Sequence, residues 1–161
     1  MNPDAFKFVA SRNGSSNWAS LESAELIPAQ RILVADDDPI ICWLISDFLV
    51  EDDFEVIAVS DGEQAWEALH HGHYDLLITG DEMSGVTGIK LIERIRNAGM
   101  TLPVIMASAT FSEENARNYP RLHIDAVVSK PFGKLELLSV VRTTLSHEVN
   151  ITMPASLYPI L

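Results

Sequence analysis

From Arg31 onward, short apolar runs alternate with longer amphipathic stretches, and this rhythm restricts the fold more than any other feature of the chain. The runs cover residues 32–35, 56–59, 76–78, 104–107 and 126–128. Most are apolar throughout, as strands covered on both faces should be, rather than alternating apolar and polar. Strands separated by helix-length stretches imply βα units wrapped around a parallel sheet.

The stretches between the runs carry helix signals. Pro39 opens the first, which runs to about Val50, because proline fits a first turn and no later one. Asp61 is an N-cap for the second, Glu63 adds negative charge near its positive end, and Ala65, Trp66 and Leu69 form its apolar face. The third turns Ile89, Leu91, Ile92 and Ile95 inward and stops near Gly99. Ser112 caps a weak fourth helix that Asn118, Tyr119 and Pro120 terminate. The last carries Leu135, Leu137, Leu138, Val141 and Leu145.

One domain therefore spans residues 30–148. Residues 1–29 are polar and turn-rich around positions 11–17 and read as a flexible leader, with Trp18, Leu21 and Leu26 as candidates for a short docked helix. Residues 149–161 read as a tail containing Pro154 and Pro159, and nothing is left over for a DNA-binding or enzymatic output domain.

Charge narrows the partners. A formal net charge of -12 opposes a sequence-independent grip on nucleic acid and binding to an anionic membrane surface. No apolar run is long enough to span a bilayer, and the N-terminus, with Lys7 and Arg12, does not read as a signal peptide. The single cysteine, Cys42, sits among Ile40, Ile41, Trp43, Leu44 and Ile45 and reads as buried packing, so the chain suits a reducing, cytoplasmic compartment.

In an open parallel sheet, ligands bind at the carboxyl ends of the strands, so the residues that follow each run are the candidates for chemistry. Asp36, Asp37 and Asp38 follow the first, Gly80, Asp81 and Glu82 the third, Ser108 the fourth, and Lys130 and Pro131 the fifth. The acidic cluster makes a hard, oxygen-rich site suited to Mg²⁺, and a hydroxyl and an ammonium opposite it would hold phosphoryl oxygens. The plainer alternative is that Asp36 to Asp38 only cap the first helix.

The segments at residues 32–39 (ILVADDDP), 104–109 (VIMASA) and 129–132 (SKPF) resemble the receiver domains of two-component response regulators, in the right order and spacing. The resemblance implies a (βα)5 flavodoxin-like α/β fold with strand order 2-1-3-4-5. It implies that Asp36 and Asp37, with the backbone carbonyl of Glu82, help to hold Mg²⁺, that Ser108 and Lys130 engage the phosphoryl group, and that Pro131 follows a cis peptide bond. The implied partners are a histidine kinase or phosphotransfer protein and downstream regulators. They would meet a surface that here includes Arg117, Arg121, Lys134 and Glu136.

The departures from the family pattern carry as much meaning. Asp75 and Met83 fix the register of the third run, and both put Gly80 where the family has its phosphate-accepting aspartate. Glycine has no side chain to form an acyl phosphate, and losing one carboxylate also weakens the metal site. Lys130 is then expected to turn towards Asp36 and Asp37 and form a static ion pair. Asp81 is a substitute only if a bulge at Gly80 re-aims it, since neighbouring strand residues face opposite ways; otherwise it is a solvated loop carboxylate. Val127 stands where the family often has an aromatic switch residue, Ser84 where it has proline, and Pro120 shortens the fourth helix. The chain reads as a non-enzymatic signalling module acting by protein contacts. An alternative is a working switch, using Asp81 or with its natural acceptor changed to Gly80 by a single nucleotide substitution. A flavodoxin-like enzyme or flavin binder is a third, disfavoured because three aspartates follow the first strand where a phosphate-cradling loop would be needed.

Smaller features fit bland roles. His70, His71 and His73 lack a fourth ligand at zinc spacing and read as a solvated helix end. His123 and His147 have no assigned role, and Trp43 and Trp66 read as core or partial surface cover. Residues 157–161 (LYPIL) are apolar enough to bind a partner, with packing back on the domain or disorder as the plainer readings.

Overall fold

The computed structural model describes residues 8–10 and 29–149, so the candidate helix near Trp18 and the apolar tail lie outside the described residues. The chain order is β1 (Phe8–Ala10), β2 (Arg31–Ala35), α1 (Pro39–Val50), β3 (Glu55–Val59), α2 (Gly62–His71), β4 (Leu76–Gly80), α3 (Gly88–Asn97), β5 (Val104–Ser108), α4 (Glu113–Arg117), a 3-10 turn (Pro120–Leu122), β6 (Ala126–Ser129) and α5 (Lys134–Val149). The strands lie in the order β1-β3-β2-β4-β5-β6. Counted from β2, the five parallel strands run 2-1-3-4-5, the doubly wound flavodoxin-like arrangement.

One strand was not foreseen. Phe8–Ala10 pairs antiparallel with β3, with Phe8 opposite Ala58 and Ala10 opposite Val56. The leader expected at residues 1–29 thus contributes a sixth strand. The physical reason is the bare edge of β3, whose outward amides and carbonyls can be satisfied by another extended segment.

The apolar runs form a sheet buried on both faces. On one face, Ile32, Val34, Ile78 and Ile105 pack with Ile45 and Leu49 of α1 and with Leu137, Val141 and Leu145 of α5. On the other, Leu33, Leu77 and Met106 pack with Ala65 of α2, with Leu91, Ile92 and Ile95 of α3, and with Leu122 of the 3-10 turn. Leu135 is 85% exposed, lying off the buried stripe formed by Leu137, Leu138, Val141 and Leu145. Outside the core, α1 and α5 are joined at their solvent rim by Lys134–Glu51 and by Arg142–Asp52, the latter with Nη2 2.6 Å from Oδ1.

The helix ends follow local chemistry. Asp38, Asp61, Thr87 and Ser112 cap the first four helices with their side chains, and Ser112 with Asn115 forms a capping box. Gly99, at φ 76°, turns the chain out of α3 in the left-handed region that glycine enters without strain. The adjoining loop is held by Arg96, which donates to the carbonyls of Leu122, Met100, Leu102 and His123 at 2.8–3.0 Å. Arg96→Ala would leave these carbonyls without their donor, and is expected to cost about 2–3 kcal/mol in urea unfolding.

Candidate functional site

The carboxyl ends of β2, β4, β5 and β6 come together at one edge of the sheet. β2 ends at Ala35, and the Asp36 amide still donates to the Val59 carbonyl at 3.2 Å, so the Asp36 side chain emerges from a fixed position. Gly80 ends β4 opposite Ala107, and Ser108 ends β5 opposite Ser129. The Lys130 amide donates to the Ser108 carbonyl at 2.8 Å, which places the lysine directly beyond β6, and the Lys130–Pro131 bond is cis.

Asp36 is buried, only 2% exposed. Its Oδ2 lies 2.5 Å from Lys130 Nζ, and its Oδ1 accepts from the Asp38 amide at 3.0 Å. Burial pushes the Asp36 carboxyl above the ordinary carboxylate range, the Lys130 and Asp38 hydrogen bonds and the Lys130 charge pull it back, and the Asp37 charge adds to the rise. Burial dominates, so the pair is a desolvated one.

Residue 80 faces this pair. A Cβ placed on Gly80 would stand 2.9 Å from Asp36 Oδ2 and 3.7 Å from the Glu82 carbonyl oxygen. The space that a side chain at position 80 would enter is therefore partly taken by the Asp36 carboxylate.

The other acids have separate partners. Asp37 Oδ2 accepts from the Ser84 amide at 3.0 Å and the Ser84 hydroxyl at 3.2 Å. Asp81 is half-buried and accepts from the Thr110 hydroxyl at 2.9 Å. Burial raises the Asp81 carboxyl, but hydrogen bonds from Ser108, Thr110 and the amides of Glu82 and Asp81 outweigh it and hold the group below the ordinary range. Asp81 is thus a half-exposed loop carboxylate tied by Thr110 to the loop after β5. Ser108 is buried, and its Oγ accepts from the Thr110 and Phe111 amides at 3.0 and 2.7 Å, so it also shapes that loop.

Whether Mg²⁺ fits is decided by these commitments. Mg²⁺ needs one or two free carboxylates, with waters and other oxygens completing its octahedron. Here Asp36 is taken by Lys130 and Asp37 by Ser84, and among the described residues no three His, Cys, Asp or Glu side chains could hold a metal ion together. As arranged, the two carboxylates that would hold a divalent cation are engaged by Lys130 and by Ser84.

Sequence reasoning missed Thr110 and the partnership of Ser84. Both are hydroxyl residues in loops next to the acidic cluster, which is the only signal the sequence holds for them. The remaining candidates stand apart from this edge. His70 and His71 engage the Trp66 and Glu67 carbonyls through Nδ1 at 2.9 and 2.8 Å, one helical turn back. Trp66 is half-buried under the Arg94 guanidinium, 4.3 Å from its ring, while Trp43 is 59% exposed. Cys42 donates to the Asp36 carbonyl at 3.2 Å, and burial pushes its thiol up to about 11. Lys134, expected on a contact surface, is paired with Glu51, whereas Arg117, Arg121 and Glu136 are exposed. Among the described residues no helix is long and apolar enough to cross a membrane.

Known proteins share this fold. A family model described as the response regulator receiver domain matches residues 32–142. Response regulator GtcR of Aneurinibacillus migulanus is 33% identical over 126 residues, covering 78% of this chain and 52% of that protein. Response regulator RppA of Synechocystis is 33% identical over 114 residues, covering 70% of this chain and 49% of that protein. The chain thus spans about half the length of these curated relatives. The solved receiver domain of a Francisella response regulator matches with a TM-score of 0.69 and 28% identity, covering 74% of this chain and 98% of that one. With the doubly wound sheet and the Asp36, Ser108 and Lys130 edge in place, these matches settle the family: the chain belongs to the response regulator receiver domains of two-component signalling.

Proposed function

We propose that this chain is a cytoplasmic, receiver-like signalling module that works by protein contacts and takes no phosphoryl group as it stands. The observation that carries this reading is the geometry at position 80. The backbone of Gly80 directs its missing side chain at the Asp36 carboxylate and the Glu82 carbonyl, so the residue best placed to be the phosphoacceptor has no nucleophile. Lys130, which would otherwise be available to an acceptor and its phosphate, is held by Asp36. Mg²⁺ should therefore bind weakly at most. The partners proposed are a histidine kinase or phosphotransfer protein and downstream regulators. Exposed Ile40 and Trp43 on α1 and Leu135 on α5 are apolar groups that such contacts would cover.

Asp81 supports a second reading. It lies on the same edge as Ser108 and Thr110, whose hydroxyls face its carboxylate, so it is a placed carboxylate and not a loose one. Intact-mass spectrometry after incubation with Mg²⁺ and acetyl phosphate separates the readings. We expect no adduct on the unaltered chain and one phosphoryl adduct on Gly80→Asp, which would also fit a natural acceptor changed to glycine. An adduct on the unaltered chain that disappears in Asp81→Asn would make Asp81 the acceptor and overturn the first reading. Absence of an adduct from both the unaltered chain and Gly80→Asp would mean that the pocket has lost more than its nucleophile. A colourless purified protein would dispose of the flavin-binding alternative.

A further inference from the structure

Asp37 stands exposed at the rim of the acidic edge, between Asp36 and Asp38. One oxygen of its carboxylate accepts both donors of a single residue on another loop, the amide and the hydroxyl of Ser84. That loop joins β4 to α3 and is fixed on either side of Ser84. Met83 is buried, Gly85 turns the chain at φ 80°, and the Gly88 amide donates to the Asp81 carbonyl at 2.9 Å to close the loop at its base. The Ser84–Asp37 pair is therefore the point where two acid-bearing loops are held together at the rim. A cation between two acidic loops would do this by charge; here two donors of the chain itself do it.

We propose that Ser84 is a positioning residue that takes the place of a cation, latching the β4–α3 loop onto Asp37 so that this edge keeps its arrangement without divalent metal. The inference deepens the reading above and rests on its view of the edge as poor in metal affinity. The chemistry at position 84 predicts a graded series. Serine and threonine offer an amide and a hydroxyl, alanine the amide alone, and proline neither.

Hydrogen–deuterium exchange by mass spectrometry on the full chain, in EDTA and in millimolar MgCl₂, tests the latch directly. Peptides covering residues 81–88 of the unaltered chain and of Ser84→Thr should exchange at the same rate in both buffers. In Ser84→Ala the same peptides should exchange up to about tenfold faster in EDTA, the effect of losing one charge-assisted hydrogen bond, and should slow again in MgCl₂. Asp37→Ala breaks the latch from the other side and should loosen the same peptides, while exchange in β2 and β4 reports that the fold is kept. The idea is overturned if MgCl₂ slows exchange in the unaltered chain, or if Ser84→Ala behaves like it in EDTA. It is equally overturned if the loosened Ser84→Ala loop ignores MgCl₂, because the serine would then not be standing in for a cation. A phosphoryl adduct on the unaltered chain would sink the functional reading and leave this exchange pattern as it is, so the two fail separately.

Discussion

Gly88→Ala is expected to cost about 3 kcal/mol or more of folding stability, read as a drop in the urea midpoint with an unchanged slope. Gly88 is buried at the first position of α3. A Cβ there would fall inside the van der Waals envelope of the Gly80 carbonyl oxygen and 3.2 Å from the Asp81 Cα. Both obstacles are backbone, so no side chain can rotate away to make room. The helix would have to lift off the end of β4, breaking the Gly88-to-Asp81 hydrogen bond and moving residue 80. Gly133→Ala is the control. Beyond its two chain neighbours nothing lies within 4 Å of its added methyl, and it should change stability by less than about 0.5 kcal/mol. A Gly88→Ala protein as stable as the unaltered chain would mean that α3 does not start this close to β4.

Lys130→Met should destabilise the chain by about 3 kcal/mol at neutral pH, because it strands a buried carboxylate. The Asp36 side chain is 3% exposed and the lysine 21%, so solvent replaces little of the lost partner. Part of the loss should return in the double variant Asp36→Asn/Lys130→Met, which removes the stranded charge, and the double-mutant cycle measures the coupling. The pH dependence has a definite sign. Burial already holds the Asp36 carboxyl above the ordinary range, and loss of the ammonium raises it further. A carboxyl with a raised folded pKa binds its proton more tightly in the folded state, so stability falls as pH climbs from the ordinary carboxylate range to the folded value. The deficit of Lys130→Met is therefore complete above that window and shrinks as pH falls back through it. An equal deficit at neutral and acid pH, in EDTA, would show that packing and not charge accounts for the loss.

The sequence discloses those parts of this protein that rest on repetition. Five parallel strands are visible because runs such as residues 32–35 and 104–107 must be apolar on both faces, and α3 is visible because Leu91, Ile92 and Ile95 repeat at helical spacing. Strand β1 is invisible for the opposite reason: three residues carry no period, and what recruits them is the distant edge of β3. Leu135 shows a third case, where a residue of the right type sits at the wrong angle on α5. At the site, Asp36, Ser108 and Lys130 could be found because each ends or directly follows a strand, and the topology brings strand ends together. The bonds from Ser84 to Asp37 and from Thr110 to Asp81 could not, since they join loops whose meeting depends on the path of the backbone between strand and helix.

The two kinds of ion pair in this fold differ in what dissolved salt can do to them. Screening acts over about 10 Å at 0.1 M salt and reaches exposed charges far more than buried ones. The links from α5 to α1, Lys134–Glu51 and Arg142–Asp52, lie at the solvent rim, whereas Lys130–Asp36 is nearly closed off from water. Rising ionic strength should therefore loosen the seam between the first and last helices while leaving the acidic edge as it is. With a net charge of -12, the same salt relieves repulsion across the whole chain and offsets some of that loss. Salt thus acts on the helical flank and global repulsion, two quantities that can move in opposite directions while the end of the sheet stays fixed.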